Sequence, residues 1–134
     1  MYLIIENSYN DKSVVALGEG DKIIKKLEKK RSFKESENLL ELIHELLSGK
    51  KIKPKDLEGI IVITGPGSFT ALRIACVIAN TFAYVEKVPL FGFKKTEYNK
   101  LEDLLKKTAK KKGENHLEPF YNKKPNISKP KKKK

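Results

Sequence analysis

The continuously apolar run Ile60 to Ile63 ends at Thr64, gives way to Gly65-Pro66-Gly67, and restarts as a small-residue, helix-forming segment from Ser68 onward. A run of that kind reads as a strand covered on both faces. Two glycines around a proline supply the free and the fixed φ of a tight turn. Ser68 or Thr70 then stands where a hydroxyl accepts from one of the first unpaired N–H groups of a helix. The chain must therefore contain a strand, a sharp turn and a helix in immediate succession. Ala71, Ala75, Ala79 and Ala83 recur every fourth residue in that helix. They form a stripe almost free of side chain, against which another backbone or helix can approach closely.

The remaining elements fall into place around this junction. Tyr2 to Glu6, Ser13 to Leu17 and Lys22 to Leu27 read as three strands, with Gly18-Glu19-Gly20-Asp21 turning the chain between the last two. Ser32 and Glu35 have the spacing of a capping box ahead of a helix over Glu35 to Leu47, which Gly49 stops. Leu39, Leu40, Ile43, Leu46 and Leu47 give that helix a wide apolar face. Pro89 to Phe93 reads as a last short strand, and Thr96 to Lys112 as one lysine-rich helix. Strands alternating with helices in the order βββαβαβ predict an α/β fold with a mixed sheet. Residues 1–93 are expected to form the lobe, and residues 94–134 a basic helix and a disordered Pro/Lys tail.

The block Gly65-Pro66-Gly67-Ser68-Phe69-Thr70-Ala71-Leu72-Arg73-Ile74 resembles the Gly-Pro-Gly-Ser-Phe-Thr-Gly-Leu-Arg-Ile-Gly signature of the bacterial TsaB (YeaZ) family. Ala71 and Ala75 stand where the family usually has glycine. Met1 to Ser8 is similar to the family's opening strand, Glu37 to Ile43 to its first interface helix, and Leu117 to Tyr121, faintly, to its closing segment. The resemblance implies one lobe of an actin-like ATPase fold, with most of the second lobe that family members carry missing. It also implies a role: a non-catalytic scaffold that pairs with the catalytic subunit TsaD. With the ATPase TsaE, TsaD transfers threonylcarbamoyl to the tRNA adenosine next to the anticodon. On this reading ATP and metal belong to the partner subunits, and the interface comprises Leu39, Leu40, Ile43, Leu47, Ala71, Leu72, Ala75, Ala79 and Ala83. A weak homodimer is a further pairing of the same kind. The alternative for the alanines is that they pack on the protein's own sheet.

Chemistry within the chain itself is poorly provided for. The glycine turn lacks the lysine of a P-loop, and Arg73 lies a turn into the helix, where it caps or pairs locally. Glu6-Asn7 replaces the family's Asp-Thr at the first strand, and Glu35 to Glu37 occupies the position of the paired metal histidines of catalytic paralogues. His44 and His116 are too far apart in sequence for a local ligand pair. Ser68 has no nucleophile elbow around it, so it reads as a cap. The lone Cys76 reads as a small core residue. Charge is the other signal: residues 94–134 hold fifteen lysines and five acids, against a nearly balanced 1–93. Lys123, Lys124, Lys129, Lys131, Lys132, Lys133 and Lys134 are accordingly expected to contact tRNA phosphates without reading sequence. A small basic RNA-binding module and a residual actin-like nucleotide binder remain the two other classes. No run reaches the ~20 apolar residues of a membrane span. The N-terminus shows no secretory signal, so a cytoplasmic location is expected.

Overall fold

The computed structural model describes residues 1–30 and 35–120, excepting the side chains of 35–37. The Ser32 half of the expected capping box and all seven tail lysines lie outside these residues. In chain order come β1 (Tyr2–Glu6), β2 (Lys12–Glu19), β3 (Lys22–Lys30), α1 (Glu35–Gly49), β4 (Gly59–Gly65), α2 (Phe69–Glu86), β5 (Leu90–Lys94) and α3 (Leu101–Thr108). Short 3₁₀ helices occupy Pro54–Asp56 and Lys95–Glu97. Among the described residues the strands form one sheet in the order β3-β2-β1-β4-β5. β1 is antiparallel to β2 and β2 to β3, while β1, β4 and β5 run parallel, so the sheet is mixed as expected.

The period-2 alternation of the strands separates two cores. Leu3, Ile5, Val15, Leu17, Ile60 and Val62 face α1 and α2, meeting Leu39, Ile43, Leu46, Ala75 and Ala79. Ile4, Ala16, Ile61, Ile63, Phe91 and Phe93 face the other way, onto Leu104 and Leu105 of α3. The central strands are thus buried on both faces, which is why β4 reads as an unbroken apolar run. β3 is an edge strand, mostly exposed and studded with lysine, which discourages pairing with another chain. α2 has the length and composition of a membrane-crossing helix, but its alanine face packs on the sheet as the core helix of this lobe.

Expectations about the C-terminal segment and about the interface residues need correction. The helix expected over Thr96 to Lys112 is confined to α3. The Lys94 N–H donates to Glu97 Oε1 at 2.7 Å, closing a separate turn. Asp103 Oδ2 then accepts from the N–H groups of Asn99 and Lys100 at 3.0 and 3.1 Å, which fixes a new helix start. Beyond Thr108 the lysine run offers no apolar residue to bury, and the chain turns back so that Glu114 exchanges backbone hydrogen bonds with Leu90 at 2.8 and 2.9 Å. Residues 94–120 are also not a separate body. Besides α3, Leu117 enters the α1/α2 core, and its backbone N–H and C=O are both met by the Asn80 amide, at 2.8 and 2.9 Å.

The second correction concerns the proposed partner-interface residues. Leu39, Ile43, Leu47, Ala71, Leu72, Ala75, Ala79 and Ala83 are all buried within the chain, and of the nine only Leu40 is exposed, at 45%. The alanine stripe is the seat of α2 on its own sheet, because a face without side chain lets a helix lie close to strands. Ala79→Leu is therefore expected to destabilise the isolated chain by ~1–3 kcal/mol through overpacking. Urea or thermal unfolding of the lone chain checks this, and wild-type stability would show that α2 has room to spare.

Candidate functional site

Two places hold candidate functional residues, the first of them at the motif that the sequence singled out. The first is the edge of the sheet where β1 and β4 end and α2 begins. Gly65 adopts φ +136°, and its peptide bond to Pro66 is cis. Gly67 lies so close to the β1–β2 connection that a Cβ there would stand 2.5 Å from the Ser8 carbonyl oxygen. Ser68, not Thr70, is the N-cap, its hydroxyl accepting from the Ala71 N–H at 3.4 Å. Arg73 sits with its guanidinium 5.9 Å from the centre of the Phe69 ring, a local pairing of the kind expected.

Beside this turn lies a buried polar cluster. Glu6, Asn7, Ser8 and Ser13 are each 3% exposed or less. Asn7 Nδ2 donates to the Ala71 carbonyl at 2.8 Å, tying β1 to the first turn of α2, while Asn7 Oδ1 accepts from the Ser13 hydroxyl at 2.5 Å. Glu6 Oε1 accepts from the Ser8 N–H and hydroxyl at 2.9 and 2.5 Å. Its other oxygen accepts from the Tyr98 hydroxyl. Burial, and then the hydrogen bond to Glu6, push the Tyr98 phenol far above its usual range. The cluster's donors and acceptors thus face each other, as buried polar groups must when water is excluded. Tyr98 was not foreseen. It lies 92 residues from Glu6, and no local pattern links the two. Among the described residues no group of three or more His, Cys, Asp and Glu is placed to hold a metal ion. Cys76 is buried, and burial, with a smaller contribution from Glu118, pushes its thiol up to about 11, leaving it a neutral core side chain.

The second place is the outward side of α2. With alanines spent on the sheet, its larger apolar residues point away: Tyr84 is 84%, Val85 63%, Val77 55% and Phe69 49% exposed. Phe69, Arg73, Ile74 and Val77 line one groove. Leu40 and His44 of α1 line another with Phe82. The two helices pack side by side on one sheet face, and each leaves apolar residues exposed. Large exposed apolar surface of this kind marks an interaction site.

A model of the family described as "TsaD: tRNA N6-adenosine threonylcarbamoyltransferase" matches residues 29–113. The chain belongs to that family. It is 40% identical over 48 residues to the tRNA threonylcarbamoyladenosine biosynthesis protein TsaB of Bacillus subtilis, covering 36% of this chain and 21% of that protein. It is 39% identical over 54 residues to the Buchnera aphidicola (Schizaphis graminum) TsaB, covering 40% and 26%. The tRNA N6-adenosine threonylcarbamoyltransferase of Enterococcus faecalis is 29% identical over 105 residues, covering 67% and 30%. YeaZ from Pseudomonas aeruginosa shares the fold at TM-score 0.58 and 24% identity, over 69% of this chain and 42% of that one. The lobe is therefore of the actin-like type. The chain spans between 21 and 31% of the length of these curated relatives and their Buchnera aphidicola (Acyrthosiphon pisum) counterpart.

The Tyr98–Glu6 pair gives a pH signature. Because the folded state holds the Tyr98 proton above the unfolded value of about 10, the pair's contribution to stability is present below that pH and lost as pH rises above it. Tyr98→Phe should flatten this alkaline fall, measured as melting temperature between about pH 8 and 11. An identical fall in both proteins would show that the phenol does not carry it.

Proposed function

We propose that this chain is a non-catalytic scaffold that pairs with the TsaD-type catalytic subunit of the tRNA threonylcarbamoyladenosine system. The observation that carries the reading is the outward apolar surface of α2 and α1: Phe69, Val77, Tyr84 and Val85 with Leu40. A helix in a lobe that stood alone would present charge there, yet between Phe69 and Val85 the only charged residue of α2 is Arg73. Two helices side by side offer the ~800 Å² per partner of a standard interface. The partner's chemistry is an apolar helical face, which the resemblance identifies as the equivalent helices of TsaD.

The motif edge supports the scaffold half of the reading. Glu6, at the place of the family's first-strand acid, is turned to Ser8 and Tyr98. The carbonyl of Ala71 in the helix's first turn is held by Asn7. These groups stabilise the fold rather than await a substrate. ATP turnover and metal chemistry belong, on this reading, to the TsaD- and TsaE-type subunits, in the cytoplasm where tRNA is modified.

Pairing and folding separate cleanly. Val77→Asp and Tyr84→Asp alter exposed positions, so the melting temperature of the lone chain should change little. Affinity for the TsaD-type subunit should fall at least tenfold, about 1.4 kcal/mol or more. Calorimetric titration measures it, and unchanged affinity in both variants would move the interface off α2. Calorimetry of the lone chain with ATP and magnesium is expected to give no saturable isotherm; micromolar binding lost in Gly67→Ala would instead favour a nucleotide-binding role.

A further inference from the structure

The sheet register sets a row of cations along the motif edge. Lys12 begins β2 and is paired with Lys30 at the end of β3, while Lys94 ends β5 opposite Gly65 at the end of β4. Lys95 follows, and Tyr9, in the β1–β2 connection, lies between Lys12 and Lys95, whose Nζ atoms stand 4.7 and 4.2 Å from its ring centre. Lys94 Nζ stands 4.3 Å from the ring of Phe120. Five strands about 4.8 Å apart make this row ~19 Å long.

What distinguishes it from an ordinary solvated lysine face is the nature of the partners. Lys94 and Lys95 lean on aromatic rings, which orient an ammonium group without neutralising it, and neither forms an ion pair among the described residues. Three nearby carboxylates have partners of their own, while Glu114 and Glu118 line the same hollow as Lys94 and Phe120. Glu6 is buried against Ser8 and Tyr98, Glu97 accepts from the Lys94 N–H, and Glu28 is shared by Lys12 and Lys26 at 3.0 and 3.6 Å. Phe120 is tied to the same edge, its N–H donating to the Thr64 carbonyl at 2.7 Å. The sequence continues from this point into a further seven lysines.

From this row, from the rings interleaved in it and from where the chain leaves it, we infer that the edge is a docking surface for the phosphate backbone of RNA. Lys94 and Lys95 contact phosphates, with Phe120 and Tyr9 holding the two ammonium groups in place. The choice of RNA over other polyanions rests on the function proposed above. Val77, Tyr84 and Val85 lie further along α2, away from this edge, so both surfaces can be occupied together.

The test uses the full chain, fluorescently labelled bulk tRNA, and anisotropy titrations from about 50 to 200 mM salt. Lys94→Glu/Lys95→Glu should weaken binding about tenfold at the lowest salt. It should also make the log-log salt slope shallower by about 1.4–1.8, the 0.7–0.9 per phosphate contact expected for two contacts. Tyr9→Ala should weaken binding with the slope little changed. Should the double variant melt early, Lys95→Gln replaces it, with about half the slope change expected. Unchanged affinity and slope would overturn the assignment, as would tighter binding to phosphatidylserine vesicles than to tRNA. Calorimetry against the TsaD-type subunit separates the two readings: lost pairing with retained tRNA effects sinks the scaffold and spares this edge, and the converse sinks this edge alone.

Discussion

Alanine at 71, 75, 79 and 83 presents nothing beyond Cβ to the sheet, so α2 lies close on β4 and its neighbours. That seat dictates the chain on either side of it. A helix lying close to the strand that feeds it leaves three residues, Pro66 to Ser68, in which to reverse direction. The reversal presses Gly67 against the Ser8 backbone, where a side chain would collide. Gly65, with its positive φ, sets the angle at which the turn leaves β4. The turn in turn brings the Ala71 carbonyl within reach of Asn7, locking β1, β4 and α2 at one point. The glycine-proline-glycine motif therefore follows from the close seat of the helix, whether or not a ligand is ever held there.

The same seat explains the outward surface. A helix of eighteen residues that spends its smallest side chains on its own core has its largest apolar ones left over, and in α2 these are Phe69, Val77, Tyr84 and Val85. Exposing isolated apolar residues costs a protein little. Several on one helix, with Phe82 of the same helix lining a groove beside Leu40 of α1, are a different matter, since each remains a source of hydrophobic free energy while it stays in water. The small-residue stripe seats the helix, and the large-residue stripe is left exposed.

Most of the fold was legible because its signals are local. The apolar runs of β4 and β2 and the glycine turn each declare themselves within a few residues, and the motif block pointed to the right lobe type. Which way the alanines face was not legible, for a physical reason. α2 carries two apolar stripes, one small and one large, and periodicity measures only that both exist. Which one faces the sheet depends on interaxial distance, a tertiary quantity: close approach favours Ala75 and Ala79 inside, leaving Val77 and Tyr84 outside. The overlong third helix had a similar origin, since Lys106 to Lys112 favours helix in isolation while Asp103 and the Glu114–Leu90 pairing set the true limits. The contacts of Glu6 with Tyr98 and of Asn80 with Leu117 span 92 and 37 residues and leave no trace in spacing.

The polar groups of the buried cluster at the motif edge are met from within the chain. Carboxylate, amide and hydroxyl groups removed from water must find partners, or each costs ~1–3 kcal/mol. A binding site meets that requirement with substrate or ordered water, and is destabilised when empty. Here Ser8, Ser13 and Tyr98 meet it from within the chain, across three separate segments of sequence. Once the edge is closed in this way, what the lobe can still offer lies on its outside: an uncharged helical face on one side of the sheet, and a row of ring-held cations along its end.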